Sequence, residues 1–186
     1  MEDRQIVELY WQRSDAAIAE TQRKYGRYCH AIANGILHSE ADAQECVNDT
    51  YVGAWNAMPP HRPDSLAAFL GKITRRLALK RFRNQTTQKR GGGETALALE
   101  ELEKVIPEGS SLEEQVAERE LARTIDAFLA ALSAGQRRIF LCRYWYFDSV
   151  ADIARRFGCS ESKVKMTCKR VRDELSQYLR KEGLIS

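Results

Sequence analysis

The stretch VADIARRFGCSESKVKMTCKRVRDEL, from Val150 to Leu175, leaves its backbone little choice. Ser149 with Asp152 three residues on has the form of a capping box, so a helix begins at Val150. Ile153, Ala154 and Phe157 turn one helical face inward. Gly158 supplies the turn, because the chain needs a positive φ there that glycine takes cheaply. Ser160 is placed to cap a second helix, on which Val164, Cys168, Val171 and Leu175 make the buried stripe. Ala154, Gly158 and Val164 together form the packing code of a helix-turn-helix: Ala154 lets the helices approach and Val164 plugs between them. Ser162, Lys163, Lys165, Met166, Lys169 and Arg170 are left on the outer face or its edges, where such a helix meets a DNA major groove. Seven bases against three acids between Ser160 and Lys181 favour DNA over a plain structural hairpin.

The same helical period runs through the rest of the chain. Ile18, Tyr25, Cys29, Ile32 and Ile36 recur at intervals of three, four or seven, with Ser14 expected to cap that helix. Ser39 with Asp42 resembles another capping box, followed by Cys46, Val47, Thr50, Tyr51 and Ala54 at helical spacing. Met58 to Asp64 reads MPPHRPD, and three prolines exclude helix interior there. Asp64 is expected to cap the next helix. No strand-like alternation of useful length occurs, so the expected fold is all-α.

That next helix contains the densest charge. Gly71 to Arg90 holds eight bases and no acid, although the whole chain is only +3. Lys72, Arg76, Lys80 and Arg83 share one face, while Phe69, Ile73 and Leu77 line another and are expected to pack inward. Cations at one-turn spacing can follow a phosphate backbone, with affinity supplied by counterion release. From Glu94 to Glu120 the balance inverts to nine acids against two bases, punctuated by Gly91–Gly93 and the PEGSS that begins at Pro107. The expected organisation is therefore two small helical domains, 1–87 and 113–186, joined by a flexible acidic linker over 88–112.

Other classes are weaker. No apolar run approaches the roughly 18 residues of a membrane span, and the N-terminus has no signal-peptide core, so no membrane insertion is expected. The five cysteines are odd in number and lack C-x-x-C spacing, which suits reduced thiols in a cytoplasm. His30 with Cys29, and His38 with Asp42, lack further ligands at a familiar spacing, so neither a metal nor a cofactor is expected. Asp42, Glu45 and Asp49 share a helical face without a nucleophile, which argues against catalysis and leaves a solvated face or an electrostatic dock. Tyr144, Trp145, Tyr146 and Phe147 are expected to be core.

These pieces, in this order, resemble a sigma-70 family RNA polymerase sigma factor of the extracytoplasmic-function group, reduced to its region 2 and region 4. DAQECVNDTYVGAW, Asp42 to Trp55, resembles the core-binding helix of region 2. Ser65 to Arg83 resembles the helix that engages the −10 element, and Leu132 to Leu175 resembles region 4, ending in the −35 reader. Arg76 and Lys80 stand where the family usually carries Asn and Asp, and Phe69 stands in place of a common Trp. The resemblance implies a non-enzymatic, cytoplasmic initiation factor with core RNA polymerase, promoter DNA and an anti-sigma factor as partners. It implies core docking through Asp42, Glu45, Asp49, Tyr51 and Trp55. It implies −10 contacts from Asn56, Arg62, Lys72, Arg75, Arg76, Lys80 and Arg83, with the proline-bounded loop capturing an unstacked base. The −35 contacts fall on the six outward residues of the last helix. The competing class is a stand-alone helix-turn-helix regulator whose first domain binds a ligand or dimerises. Such a sensor needs neither a basic helix nor an acidic docking helix.

Overall fold

The structure is a computed structural model that describes residues 1–88, 93–106 and 112–185, with side chains over 1–85, 93–106 and 120–185. It divides into two compact units, Met1–Gly91 and Gly92–Ser186. The described residues form helices and contain no strand, as the helical period requires.

In the first unit α1 (Asp3–Trp11) and α2 (Ala16–Leu37) precede α3 (Glu40–Ala57) and α4 (Leu66–Gln88). Helices α2, α3 and α4 pack mutually, and α1 lies on α2. Each of the three long helices contributes one buried threonine. Thr21, Thr50 and Thr74 donate back to the carbonyls of Ala17, Cys46 and Leu70 at 2.8–2.9 Å. Their hydroxyls also meet partners on other helices, Tyr10 with Thr21 at 2.9 Å and Thr50 with Thr74 at 3.1 Å. A polar centre is stable here because the hydroxyls of Tyr10, Thr21, Thr50 and Thr74 are each satisfied. Gly53 allows α3 and α4 to close up, since a Cβ there would lie 3.1 Å from Ile73 Cγ2.

Several sequence expectations shift by a residue or two. The α2 stripe is Ala17, Thr21, Cys29, Ile32, Ala33, Ile36 and Leu37, with Ile18 and Tyr25 only half-buried at its margin. Ser14 does not cap α2: Asp15 holds the N-cap position, without a side-chain cap bond. Asp64 is likewise displaced as a cap by Ser65, whose Oγ accepts from the Ala68 N–H at 3.2 Å. On α4 the buried side chains are Leu66, Leu70, Ile73, Thr74 and Ala78, with Gly71 buried between them, while Phe69 and Leu77 are half-buried. The expected cap at Ser39 does accept from Asp42 N.

The second unit contains α5 (Gly93–Glu103), α6 (Leu112–Ala131), α7 (Ala134–Tyr144), α8 (Val150–Phe157) and α9 (Glu161–Lys181). The α8–α9 pair matches its sequence reading closely. Ser149 and Ser160 cap their helices through Asp152 N and Lys163 N, and Ile153, Ala154, Val164, Cys168, Val171 and Leu175 are buried. Gly158 has φ +62°, and a Cβ there would meet nothing within 4 Å. Gly158→Ala therefore tests backbone strain alone. It should lower the stability of this unit by about 1–2 kcal/mol in chemical denaturation, without a packing defect. All five cysteines are free, and four of them are buried. Burial pushes Cys46 and Cys168 up to about 11, which suits inert packing thiols.

Inside the expected linker the structure places a helix. Thr95, Ala98 and Val105 are buried, and α5 packs on α7. Its apolar and small positions at 95, 98 and 102, continued by Val105 just beyond its end, recur at helical intervals, a pattern masked in the sequence by the acids around it. The remainder of the 88–112 expectation lies largely outside the described residues.

Candidate nucleic-acid interface

Three exposed surfaces carry the chemistry: the acidic face of α3, the basic face of α4 and the outer face of α9. On α9 the tertiary structure agrees with the spacing at every position. Ser162, Lys163, Lys165, Met166, Lys169 and Arg170 are all exposed, and Met166 retains 67% of its accessible surface. A large apolar side chain held outward among four cations suits a groove that offers phosphates, base edges and thymine methyls.

On α4, Lys72, Arg76, Lys80 and Arg83 are exposed along one side. Arg75 departs from them. It is half-buried, and desolvation pulls its guanidinium down to about 10, still charged at neutral pH. Arg81, one of the eight bases of the stretch, faces α3. Its Nη1 donates to Glu45 Oε2 at 2.5 Å and its Nη2 to Asp49 Oδ2 at 2.6 Å. Hydrogen bonding to Glu45, then to Asp49, holds its charge more firmly than in water. Gln85 Nε2 adds a bond to Asp42 Oδ2 at 3.3 Å. Asp42, Glu45 and Asp49 therefore all meet side chains of α4, although Glu45 and Asp49 keep 65% and 48% side-chain exposure. The spacing within α3 brought the acids together. It could not show that a base 32 residues on would neutralise part of their field.

The remaining docking candidates separate. Tyr51 is 5% exposed and belongs to the interior, where burial pushes its phenol up to about 12. Its side chain lines a cavity of about 390 Å³ between α2 and α3. Trp55 is half-buried against α1. Arg13 donates to its carbonyl at 2.8 Å and stacks 5.3 Å from its ring, while Tyr10 meets it edge-on at 6.2 Å. Aromatic residues on an amphipathic helix report burial and docking alike, so spacing alone could not separate the two uses.

The loop between α3 and α4 is braced by α1, a helix that sequence reasoning passed over. Arg62 stacks 4.1 Å from the Trp11 ring centroid and pairs with Glu8 at 3.1 Å. Trp11 Nε1 donates to the His61 carbonyl at 3.2 Å, and the His61 and Phe69 rings lie 6.4 Å apart. Met58 anchors the start of the loop with no exposed surface. Asn56, at the end of α3, is exposed. Arg62 thus stays at the surface while being positioned by a neighbouring helix.

His30 Nε2 lies 3.0 Å from Glu40 Oε1, a pair across α2 and α3. Among the described residues no group of three His, Cys, Asp or Glu side chains is arranged to hold a metal. Tyr144 and Phe147 are buried at 3% and 1% exposure, in keeping with the core reading, while Trp145 and Tyr146 are half-buried. No helix among the described residues is long and apolar enough to cross a membrane.

Comparison with known proteins accounts for both units. The family model for Sigma-70 region 2 matches residues 22–88, and that for Sigma-70, region 4 matches residues 122–175. Two curated relatives, the ECF RNA polymerase sigma factor SigM of Mycobacterium tuberculosis strains Erdman and H37Rv, are each 26% identical over 158 residues. That alignment spans 84% of this chain and 74% of the relative. A solved structure of CnrH in complex with the cytosolic domain of CnrY aligns at TM-score 0.43 and 22% identity, over 96% of this chain and 97% of that one. With region 2 on the α2–α4 bundle and region 4 on the helix-turn-helix unit, in that order, this chain belongs to the sigma-70 family and its extracytoplasmic-function group, the promoter-specificity subunits of RNA polymerase.

Proposed function

We propose a division of labour in which α3 docks the chain on core polymerase, α4 and the 58–64 loop hold the −10 element, and α9 reads the −35 element. The observation that carries it is the segregation of charge. Cations face outward on α4, which contains no acid, and on α9, whereas α3 carries Glu40, Asp42, Glu45 and Asp49 and no base. The chain acts as a non-enzymatic initiation factor in the cytoplasm. A ligand-sensing regulator is disfavoured, because its first domain has no use for this separation. Run-off transcription with purified core enzyme tests the reading as a whole: core enzyme alone should be silent on a promoter that the reconstituted complex uses.

Docking is tested at Asp49. Asp49→Arg replaces an acid by a base beside Arg81 and should weaken association with core enzyme by about tenfold or more at low salt, the scale of charge reversal at a complementary interface. Asp49→Asn should cause a smaller loss. Equal affinities for all three chains in titration with labelled core enzyme would remove α3 from the interface.

Reading of the −35 element is tested at Lys165 and Arg170. Alanine at a side chain that reads a base should cost about 1–3 kcal/mol and relax specificity at one position. Alanine at a phosphate contact should weaken all sequences alike and lower the salt slope by about one. One substitution of each kind is expected. Unchanged promoter use in both would mean that the recognition face lies elsewhere.

A further inference from the structure

Between the spans matched by the two family models, 22–88 and 122–175, lies α5, which neither model covers. It contributes two carboxylates to the reading unit, and one of them reaches α9. Glu101 Oε2 accepts from the Tyr144 hydroxyl of α7 at 2.7 Å and from Arg172 Nη1 of α9 at 2.6 Å. Arg172 also donates to the Tyr144 hydroxyl, and its guanidinium lies 5.8 Å from the centroid of that ring. Arg143 Nε of α7 lies 3.9 Å from the same oxygen, while its Nη1 binds Glu94 of α5 at 2.5 Å. The side chains of Glu101 and Arg172 retain 24% and 18% exposure, so the junction is largely withdrawn from solvent.

Arg172 is two residues beyond Arg170 on α9, on the turn that follows the outward face. A helix held only by Val164, Cys168, Val171 and Leu175 can rock about that stripe, because apolar contacts are non-directional. A charged hydrogen bond from a third helix fixes rotation, since donor and acceptor must stay aligned. We propose that Glu101 is a positioning residue of the −35 reader, setting the rotation of α9 against α7 so that the outward side chains meet base edges in register. This rests on the assignment of α9 as the reader. Glu101 touches no DNA in this scheme, and its effect on DNA binding is confined to discrimination between sequences.

The sign of the expected result separates positioning from bulk charge. Removing a carboxylate from a DNA-binding unit strengthens binding to every sequence, leaving the ratio between sequences unchanged. Loss of alignment lowers that ratio. The experiment uses the full chain assembled with core enzyme, on a −35 duplex selected from a random library by the wild-type complex and on the same duplex with that element scrambled. Glu101→Ala should lower the selected-to-scrambled affinity ratio by about tenfold, within the range of one misplaced base contact. Affinity for the scrambled duplex should not fall, and the salt slope should not change. Glu101→Gln keeps an acceptor for Tyr144 and Arg172 and should restore most of the ratio. Tyr144→Phe keeps the ring and the direct Arg172–Glu101 bond and removes the two bonds of the hydroxyl, so a smaller loss in the same direction is expected even if Glu101→Ala fails to fold. An unchanged ratio in folded Glu101→Ala, or in Tyr144→Phe should the alanine chain not fold, overturns the proposal. So does a Glu101→Gln chain as impaired as the alanine chain. Failure of the underlying reading looks different: Lys165→Ala and Arg170→Ala would then both leave the ratio untouched.

Discussion

Reversing Lys72, Arg76 and Lys80 together to glutamate will give a chain that folds, docks on core polymerase and no longer melts promoter DNA. The fold should survive because all three side chains are exposed, while α4 is held by Leu66, Leu70, Ile73, Thr74 and Ala78. Exposed substitutions away from caps and buried networks usually cost within about 0.5 kcal/mol. Docking should survive because the contacts of Arg81 and Gln85 with the acids of α3 are left unchanged. Melting should collapse because three attractions to phosphate become three repulsions. At about 1 kcal/mol per close charge pair in water, the change is roughly 3–6 kcal/mol before screening, or at least about 100-fold. Loss of three single-strand contacts should also flatten the salt slope by about 2. Circular dichroism, core-enzyme pull-down and permanganate footprinting measure the three stages separately. Wild-type melting by the folded triple variant would return this face of α4 to ordinary solvated charge.

A second large effect concerns a buried arginine. Arg143 is 1% exposed, and its charged partners among the described residues are Glu94 and Glu101, both supplied by α5. Replacing both acids by alanine strands the guanidinium in the interior, with the Asp148 carbonyl as an acceptor at 3.4 Å. Breaking a buried pair from one side typically costs about 3–5 kcal/mol, a large share of the 5–15 kcal/mol that stabilises a small domain. Arg143→Met should be much cheaper. It removes the buried charge and keeps the volume, and the acids left behind retain 46% and 24% side-chain exposure and can be solvated. The prediction is therefore an asymmetry, measured by denaturing the full chain and following the second unit. Glu94→Ala/Glu101→Ala should lose several kcal/mol and Arg143→Met about 1. Equal losses would mean that α5 contributes only its apolar face.

Local sequence determined whatever depends on one helix or on two joined by a short turn. The α8–α9 pair was legible because its caps, its glycine and its apolar stripe all act within the 27 residues from Ser149 to Leu175, and backbone sterics leave one arrangement for them. The exposure of Lys72, Arg76 and Lys80 was legible for the same reason, since helical period fixes which residues share a face. Tertiary structure decided which charges meet. Arg81 was one of eight bases until α3 and α4 packed and set it between Glu45 and Asp49, 36 and 32 residues away. The acids of α5 likewise looked like the solvated charge of a linker. They became ligands of buried Arg143 and of Arg172 only once α7 and α9 had closed around them, at separations of 49 and 71 residues. Helical period places a residue on a face with a precision of a few ångströms. Pairing across helices depends on crossing angles and side-chain reach, which a single sequence does not encode locally.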